Sequence, residues 1–88
     1  MMTHDLKTHL APFKAIWQRK KMFEIRLNDR GFQVGHYLRL REYDHHADTY
    51  TGRMILTEVT HMIQGEYGLP ADLCVMSIRV ISRNKGEF

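Results

Sequence analysis

One cysteine, two prolines and one tryptophan are all that this 88-residue chain holds of those types. Nowhere does it run through the roughly 18 consecutive apolar residues that a membrane-spanning helix needs. A lone thiol forms neither an internal disulfide nor a cysteine-based metal centre. Cys74 lies in the apolar run LCVMSIRVI and is expected to pack as a buried thiol. The opening MMTHDLKTHL carries Asp5 and Lys7 and has no apolar stretch of signal-peptide length. A cytoplasmic protein without a membrane partner is therefore expected. No phosphate-cradling glycine loop, nucleophile elbow or HExxH motif occurs, which removes the usual support for nucleotidase, serine-hydrolase and zinc-protease readings. Internal repeats and low-complexity segments are also missing.

What is present suits one folded domain. Eighty-eight residues provide one modest core, and 43% hydrophobic with 26% charged residues is the balance of a globular chain rather than a disordered one. The whole of 1–88 is read as a single domain with an ordered core over about 4–82. The net charge is only +3, but its distribution is uneven. Between Arg19 and Arg41 stand seven basic residues (Arg19, Lys20, Lys21, Arg26, Arg30, Arg39, Arg41) against two acids (Glu24, Asp29), a local +5. Such a patch beside neutral or acidic surface suits a polyanion, and a solvated, salt-bridged face is its bland counterpart.

Along the chain, His4 to Lys7 reads as a short first strand. Leu10, Phe13, Ile16 and Trp17 then recur at helical spacing, with Pro12 in the first turn, where its missing N–H is harmless. A helix is expected from about Ala11 to Arg19. KKMFEIRLNDRGFQVG follows, in which Phe23, Ile25 and Leu27 alternate with Glu24, Arg26 and Asn28. The apolar set is expected to form the wall of the core and the polar set to face a ligand. NDRGFQVG is a turn whose glycines suit positive φ. Tyr37 to Tyr43 alternates again, with Leu38 and Leu40 on one face and Tyr37, Arg39, Arg41 and Tyr43 on the other. Asp44 to Gly52 reads as a polar loop, Met54 to Ile63 as a long bent strand, QGEYGLPAD as a break, and Leu73 to Ser82 as a last strand burying Cys74, Met76, Ile78 and Val80. RNKGEF is expected to fray. One helix and four or five closely spaced strands make an α+β fold, with an antiparallel or mixed sheet that curls into a small barrel.

Three constellations carry possible chemistry. The face holding Tyr37, Arg39, Arg41 and Tyr43 joins stacking rings to guanidinium groups, the requirement of a single-stranded nucleic-acid platform. An exposed face on which tyrosines cover arginine stems looks the same in sequence. Glu24 and Arg26, with Lys20 and Lys21 just before them, offer a carboxylate for a base's exocyclic amine and cations for phosphate. The same set would serve a lysine acid, base or nucleophile oriented by a carboxylate, or a cross-strand ion network that pins register. His45, His46 and Asp48 have ligand chemistry, but they sit in a loop and are read as solvated; no metal or cofactor is expected.

The ordered motifs H-x-L-K (His4, Leu6, Lys7), P-F-x-A-I (Pro12 to Ile16), K-K-x-F-E-I-R (Lys20 to Arg26), N-D-R-x-F-Q-V-G (Asn28 to Gly35), L-x-L-R-E-Y (Leu38 to Tyr43) and Y-T-G-R (Tyr50 to Arg53) resemble a small bacterial and phage domain-of-unknown-function family of the ASCH branch of the PUA-like superfamily. The resemblance runs from about His4 to Ser82. It implies a PUA-like mixed β-pseudobarrel with an N-terminal helix packed against it, and a cleft between helix and barrel associated with RNA or modified nucleosides. Lys21 and Arg26 match the ASCH segment G-x-K-x-x-x-x-R, with Arg19 in the glycine position and His36 where an aspartate usually follows the hairpin glycine. Some ASCH relatives hydrolyse acetylated cytidine with the motif lysine, a threonine three residues on and a distant glutamate. Lys21 matches the lysine, and Glu24 stands at the threonine position.

These readings give an RNA-binding module, expected to be a monomer, that uses Lys20, Lys21, Glu24, Arg26, Arg30, Tyr37, Arg39, Arg41 and Tyr43. Its partner is RNA or a modified nucleoside. The alternative is a small amidohydrolase, or a reader, acting on a modified nucleoside such as an N4-acylated cytidine, with Lys21 and Glu24 as the catalytic pair.

Overall fold

Period-two alternation builds most of this fold. The computed structural model describes residues 2–85. Its elements are β1 (Thr3–His9), α1 (Leu10–Trp17), β2 (Phe23–Leu27), β3 (Tyr37–Asp44), β4 (Thr49–Gln64) and β5 (Leu73–Asn84). One five-stranded sheet runs in the order β1-β3-β4-β5-β2, with β1 parallel to β3 and the remaining neighbours antiparallel. No helix among the described residues is long and apolar enough to cross a membrane.

Leu6 on β1, Leu38 and Leu40 on β3, Ile55 and Val59 on β4, and Cys74, Met76 and Ile78 on β5 all point to one side of the sheet. Phe13 and Ile16 of α1 pack on them, and Phe32 comes in from the β2–β3 connection. Spacing of three along the helix puts Phe13 and Ile16 on one stripe. The helix therefore serves as the filling of a half-barrel. Burial pushes the Cys74 thiol above its ordinary pKa, as expected of a packed thiol.

The sheet curls until its outer strands, β1 and β2, face each other across a seam without pairing. Arg26 on β2 donates to the Lys7 carbonyl at 3.1 Å, and Arg30 donates to the Asp5 carbonyl at 2.6 Å. Guanidinium groups thus satisfy acceptors on the open edge of β1 that a sixth strand would otherwise meet.

Strand β4 meets β5 through two irregularities, which skip Ile81 on β5 and Thr60 on β4. Its pairing with β5 shifts between Leu56 and Thr57 and again between Val59 and His61. The second shift ends the run of buried odd-numbered positions Ile55, Thr57 and Val59. A bulge of this kind bends a strand and changes its facing, which is why no single alternation describes Met54 to Ile63. The Thr57 hydroxyl, fully buried, donates to the Leu38 carbonyl at 3.0 Å.

Four sequence expectations require correction. The helix stops at Trp17 rather than Arg19. The Asp44 to Gly52 loop shrinks to a tight turn, because Thr49 to Gly52 already belong to β4, with Thr49 paired to Asp44 and Tyr50 to Tyr43. Arg83 and Asn84, expected to fray, belong to β5, while residues 86–88 of that tail lie outside the described residues. Most consequential, the two faces of β2 are exchanged. Phe23, Ile25 and Leu27 are 42%, 50% and 57% exposed, whereas Glu24 is 3% exposed. Register explains it: Glu24 lies opposite Met76 and Arg26 opposite Cys74, both on the buried face of β5. Residues opposite one another share a face, so the strongly apolar β5 decides which side of β2 turns inward.

His4 is buried on β1, with its Nε2 3.0 Å from Nδ1 of His36 and its ring edge-on to Phe32. Burial pushes its pKa below the ordinary value, and His36 and Arg30 act in the same direction. The folded state therefore disfavours protonated His4, while the unfolded chain takes up that proton near 6.5. This contribution costs nothing above that pH, grows as pH falls through the window below it, and levels off once both states are protonated. The urea midpoint is expected to drop between pH 7.5 and pH 5, and His4→Gln is expected to remove part of the drop. A His4→Gln profile as steep as that of the parent would exclude His4 as the source.

Candidate functional site

The site begins where the helix ends. The Arg19 N–H donates to the Ile16 carbonyl at 2.9 Å and the Lys20 N–H to the Ala15 carbonyl at 2.8 Å, the paired bonds of a Schellman stop. Arg19 takes the left-handed conformation that this stop demands, with φ +58°. Lys21 N–H also reaches the Ala15 carbonyl, at 3.1 Å. The stop turns the chain sharply before β2 and sets Lys21 on the same side as Glu24, which strict alternation along the strand would forbid.

Glu24 then gathers the site. Lys21 Nζ donates to Glu24 Oε1 at 3.0 Å and to the Phe23 carbonyl at 2.7 Å. Arg26 Nε donates to Glu24 Oε2 at 2.8 Å, and its Nη2 reaches across the seam to Lys7 and the Thr8 hydroxyl. Each carboxylate oxygen thus holds one cation. Charge-assisted bonds of this kind contribute roughly 1.5–3 kcal/mol each, largely offset by the cost of removing the carboxylate from water. The arrangement fixes geometry more than it adds stability.

Beside this chain of contacts lies an open cleft of about 300 Å³. Its walls are Lys7, Thr8 and His9 of β1, Pro12 of α1, the turn residue Lys21, and Glu24 to Arg26 of β2. Lys21 and Arg26 face the single acid Glu24, so the cleft carries an excess of positive charge. On the other side of Arg26 a second hollow of about 250 Å³ continues the seam towards Arg30 and Phe32.

Lys21, Glu24 and Arg26, singled out from sequence, therefore converge, with Arg30 further along the same seam. Lys20 is exposed at the helix stop. The face of Tyr37, Arg39, Arg41 and Tyr43 lies elsewhere, on the outside of the sheet. There Arg39 pairs with Asp5 at 3.0 Å, Arg41 stacks 4.1 Å over the Tyr50 ring, and the Lys7 ammonium sits 4.2 Å over the Tyr43 ring. The +5 stretch is thus divided between seam and outer face. Lys7, Thr8, His9, Pro12 and Ile25 line the cleft without having been singled out for it. The edge position of β1 that exposes Lys7 and His9 to the cleft is a property of the sheet order.

The model of the family described as "Domain of unknown function (DUF3850)" matches residues 3–78. The chain belongs to that family. No curated protein matches it. The DUF3850 match contains the whole cleft, the helix stop and both strands of the seam, and it ends within β5.

A non-glycine residue in the left-handed region costs about 1 kcal/mol, and at Arg19 only the backbone is needed to close the helix. Arg19→Gly is expected to raise stability by about 0.5–1 kcal/mol, read as a higher urea midpoint at unchanged slope. A lower midpoint would mean that the Arg19 side chain has a role beyond its backbone.

Proposed function

We propose that this protein is a cytoplasmic nucleic-acid-binding module of PUA-like fold, on the ASCH branch, that receives one nucleotide of an RNA in the seam cleft. The observation that carries the reading is the convergence of Lys21, Glu24 and Arg26 in one open, positively charged hollow. Two further features support it. The glycine position of G-x-K-x-x-x-x-R falls at Arg19, where the helix stop needs the conformation glycine adopts most easily. The preference for RNA over DNA rests on the ASCH resemblance.

In this reading Glu24 positions the cations and leaves ligand contact to them. Its two oxygens already accept from Lys21 and Arg26, so a ligand meets N–H donors. Donors select acceptors: a phosphate oxygen or a base carbonyl, held by Lys21 and Arg26. Lys20 and Arg30 add long-range attraction from either end of the seam. A volume of about 300 Å³ is at the lower limit of small-molecule sites and suits one nucleotide rather than a base pair.

The juxtaposition of Lys21 and Glu24 in that hollow also favours a second reading, hydrolysis of an acyl amide on a modified cytidine. Lys21 then acts as a proton donor, since its ammonium is held by Glu24 and the Phe23 carbonyl.

Fluorescence anisotropy with a short single-stranded RNA at several salt concentrations tests the first reading. The logarithm of affinity is expected to fall linearly with the logarithm of salt concentration, and Lys21→Ala and Arg26→Ala each to lower affinity about tenfold and reduce the slope by about one. No binding at low salt would overturn it. Glu24→Gln is expected to weaken binding by a smaller factor, by loosening both cations. Incubation with N4-acetylcytidine separates the second reading: release of cytidine and acetate that disappears in Lys21→Ala supports hydrolysis, and an intact substrate rejects it.

A further inference from the structure

We infer that the hairpin joining β3 and β4 is a stacking track for the nucleotides next to the one in the cleft, which makes the ligand a single strand. The inference rests on the nucleic-acid reading above and adds a second site to it. His9, at the end of β1, belongs to both: it lines the cleft, and its ring stands edge-on to Tyr43 at 6.4 Å and to His45 at 5.5 Å. From there the rings continue without a break. His45 and His46 lie 4.2 Å apart, tilted by 35°, and Tyr43 meets Tyr50 edge-on at 5.2 Å. Cations accompany them, the Lys7 ammonium over Tyr43 and the Arg41 guanidinium over Tyr50.

Five rings and two cations thus lead away from the lip of the cleft. His9, His45, His46 and Tyr50 are exposed, so the cluster does not serve as core. The acids of the hairpin are committed to its shape. Asp44 accepts from the His46 and Ala47 N–H groups at 3.0 and 3.3 Å, and Asp48 accepts from the Tyr43 hydroxyl. What remains at the surface of the hairpin is a set of exposed rings with adjacent positive charge. Unpaired bases stack on such surfaces with little regard to sequence, whereas bases inside a duplex have no face to offer. His45 and His46, read from sequence as loop solvation, acquire a role through their neighbour His9, which comes from another strand.

The test compares uridine monophosphate, single-stranded hexauridylate and a six-base-pair RNA duplex on the intact protein. For the parent, hexauridylate is expected to bind more tightly than the monophosphate and than the duplex. In the double variant His46→Ala, Tyr50→Ala the ratio of hexauridylate to monophosphate affinity is expected to fall at least about fivefold, the loss of one stacked base. General damage to the fold lowers both affinities together; a ratio that stays constant overturns the track. Equal affinity for duplex and single strand overturns it as well. If the parent binds none of the three at low salt, the cleft reading fails and the track with it. If the parent binds the monophosphate but gains nothing from the longer strand, only the track fails.

Discussion

The carboxylate of Glu24, buried between Lys21 and Arg26, is the interaction on which the arrangement of this molecule turns. An open five-stranded sheet has two edges. Curling brings them together, but β1 and β2 do not pair, and the gap between them needs polar groups that satisfy open backbone acceptors without closing the ladder. Arginines do this because a guanidinium offers several donors in a plane. A cation placed at a half-buried seam needs a nearby anion. Glu24 supplies it, and its second oxygen captures Lys21 from the helix stop. The same carboxylate therefore ties together the end of α1, the edge of β2 and, through Arg26, the edge of β1.

The inversion of β2 follows from this constraint. The side of β2 that faces inward looks into the seam rather than into the packed interior formed by Phe13, Ile16, Phe32 and the inner residues of β3, β4 and β5. Polar residues suit that side, and the apolar residues Phe23, Ile25 and Leu27 are left outside, opposite Ser77, Val75 and Leu73 on β5. The cleft has the same origin. A closed barrel of this size has an interior just large enough for side chains; here the missing strand pairing leaves a hollow walled by both edges and by Pro12. The fold and the candidate site are thus two consequences of one incomplete closure.

On the proposed reading, the seam and the β3–β4 hairpin divide recognition between them. The seam supplies fixed donors for acceptors on one nucleotide, and the hairpin supplies rings for its neighbours. Lys7 and His9 are where the two meet, because β1 is both the edge of the seam and the parallel neighbour of β3. One short strand with alternating exposed residues reaches both surfaces.

Much of this was legible in the residues. Leu38 and Leu40, then Cys74, Met76 and Ile78, announce buried strand faces, and the glycines of NDRGFQVG do take positive φ, at Gly31 and Gly35. Lys21, Glu24 and Arg26 stand out as a set, since an acid and two cations so close together in sequence have few ways of avoiding one another. The amino-acid sequence by itself determined the elements, their inward faces wherever one side was strongly apolar, and the identity of the central charged groups. Only the tertiary structure decided which face of β2 turned inward, because a five-residue strand takes its facing from the partner it pairs with and not from its own alternation. It alone also decided that Lys7 and His9 join the cleft, that β4 changes facing at a bulge, and that the basic stretch divides between two surfaces. These depend on the order of strands in the sheet and on how far it curls, long-range pairings that no local pattern encodes.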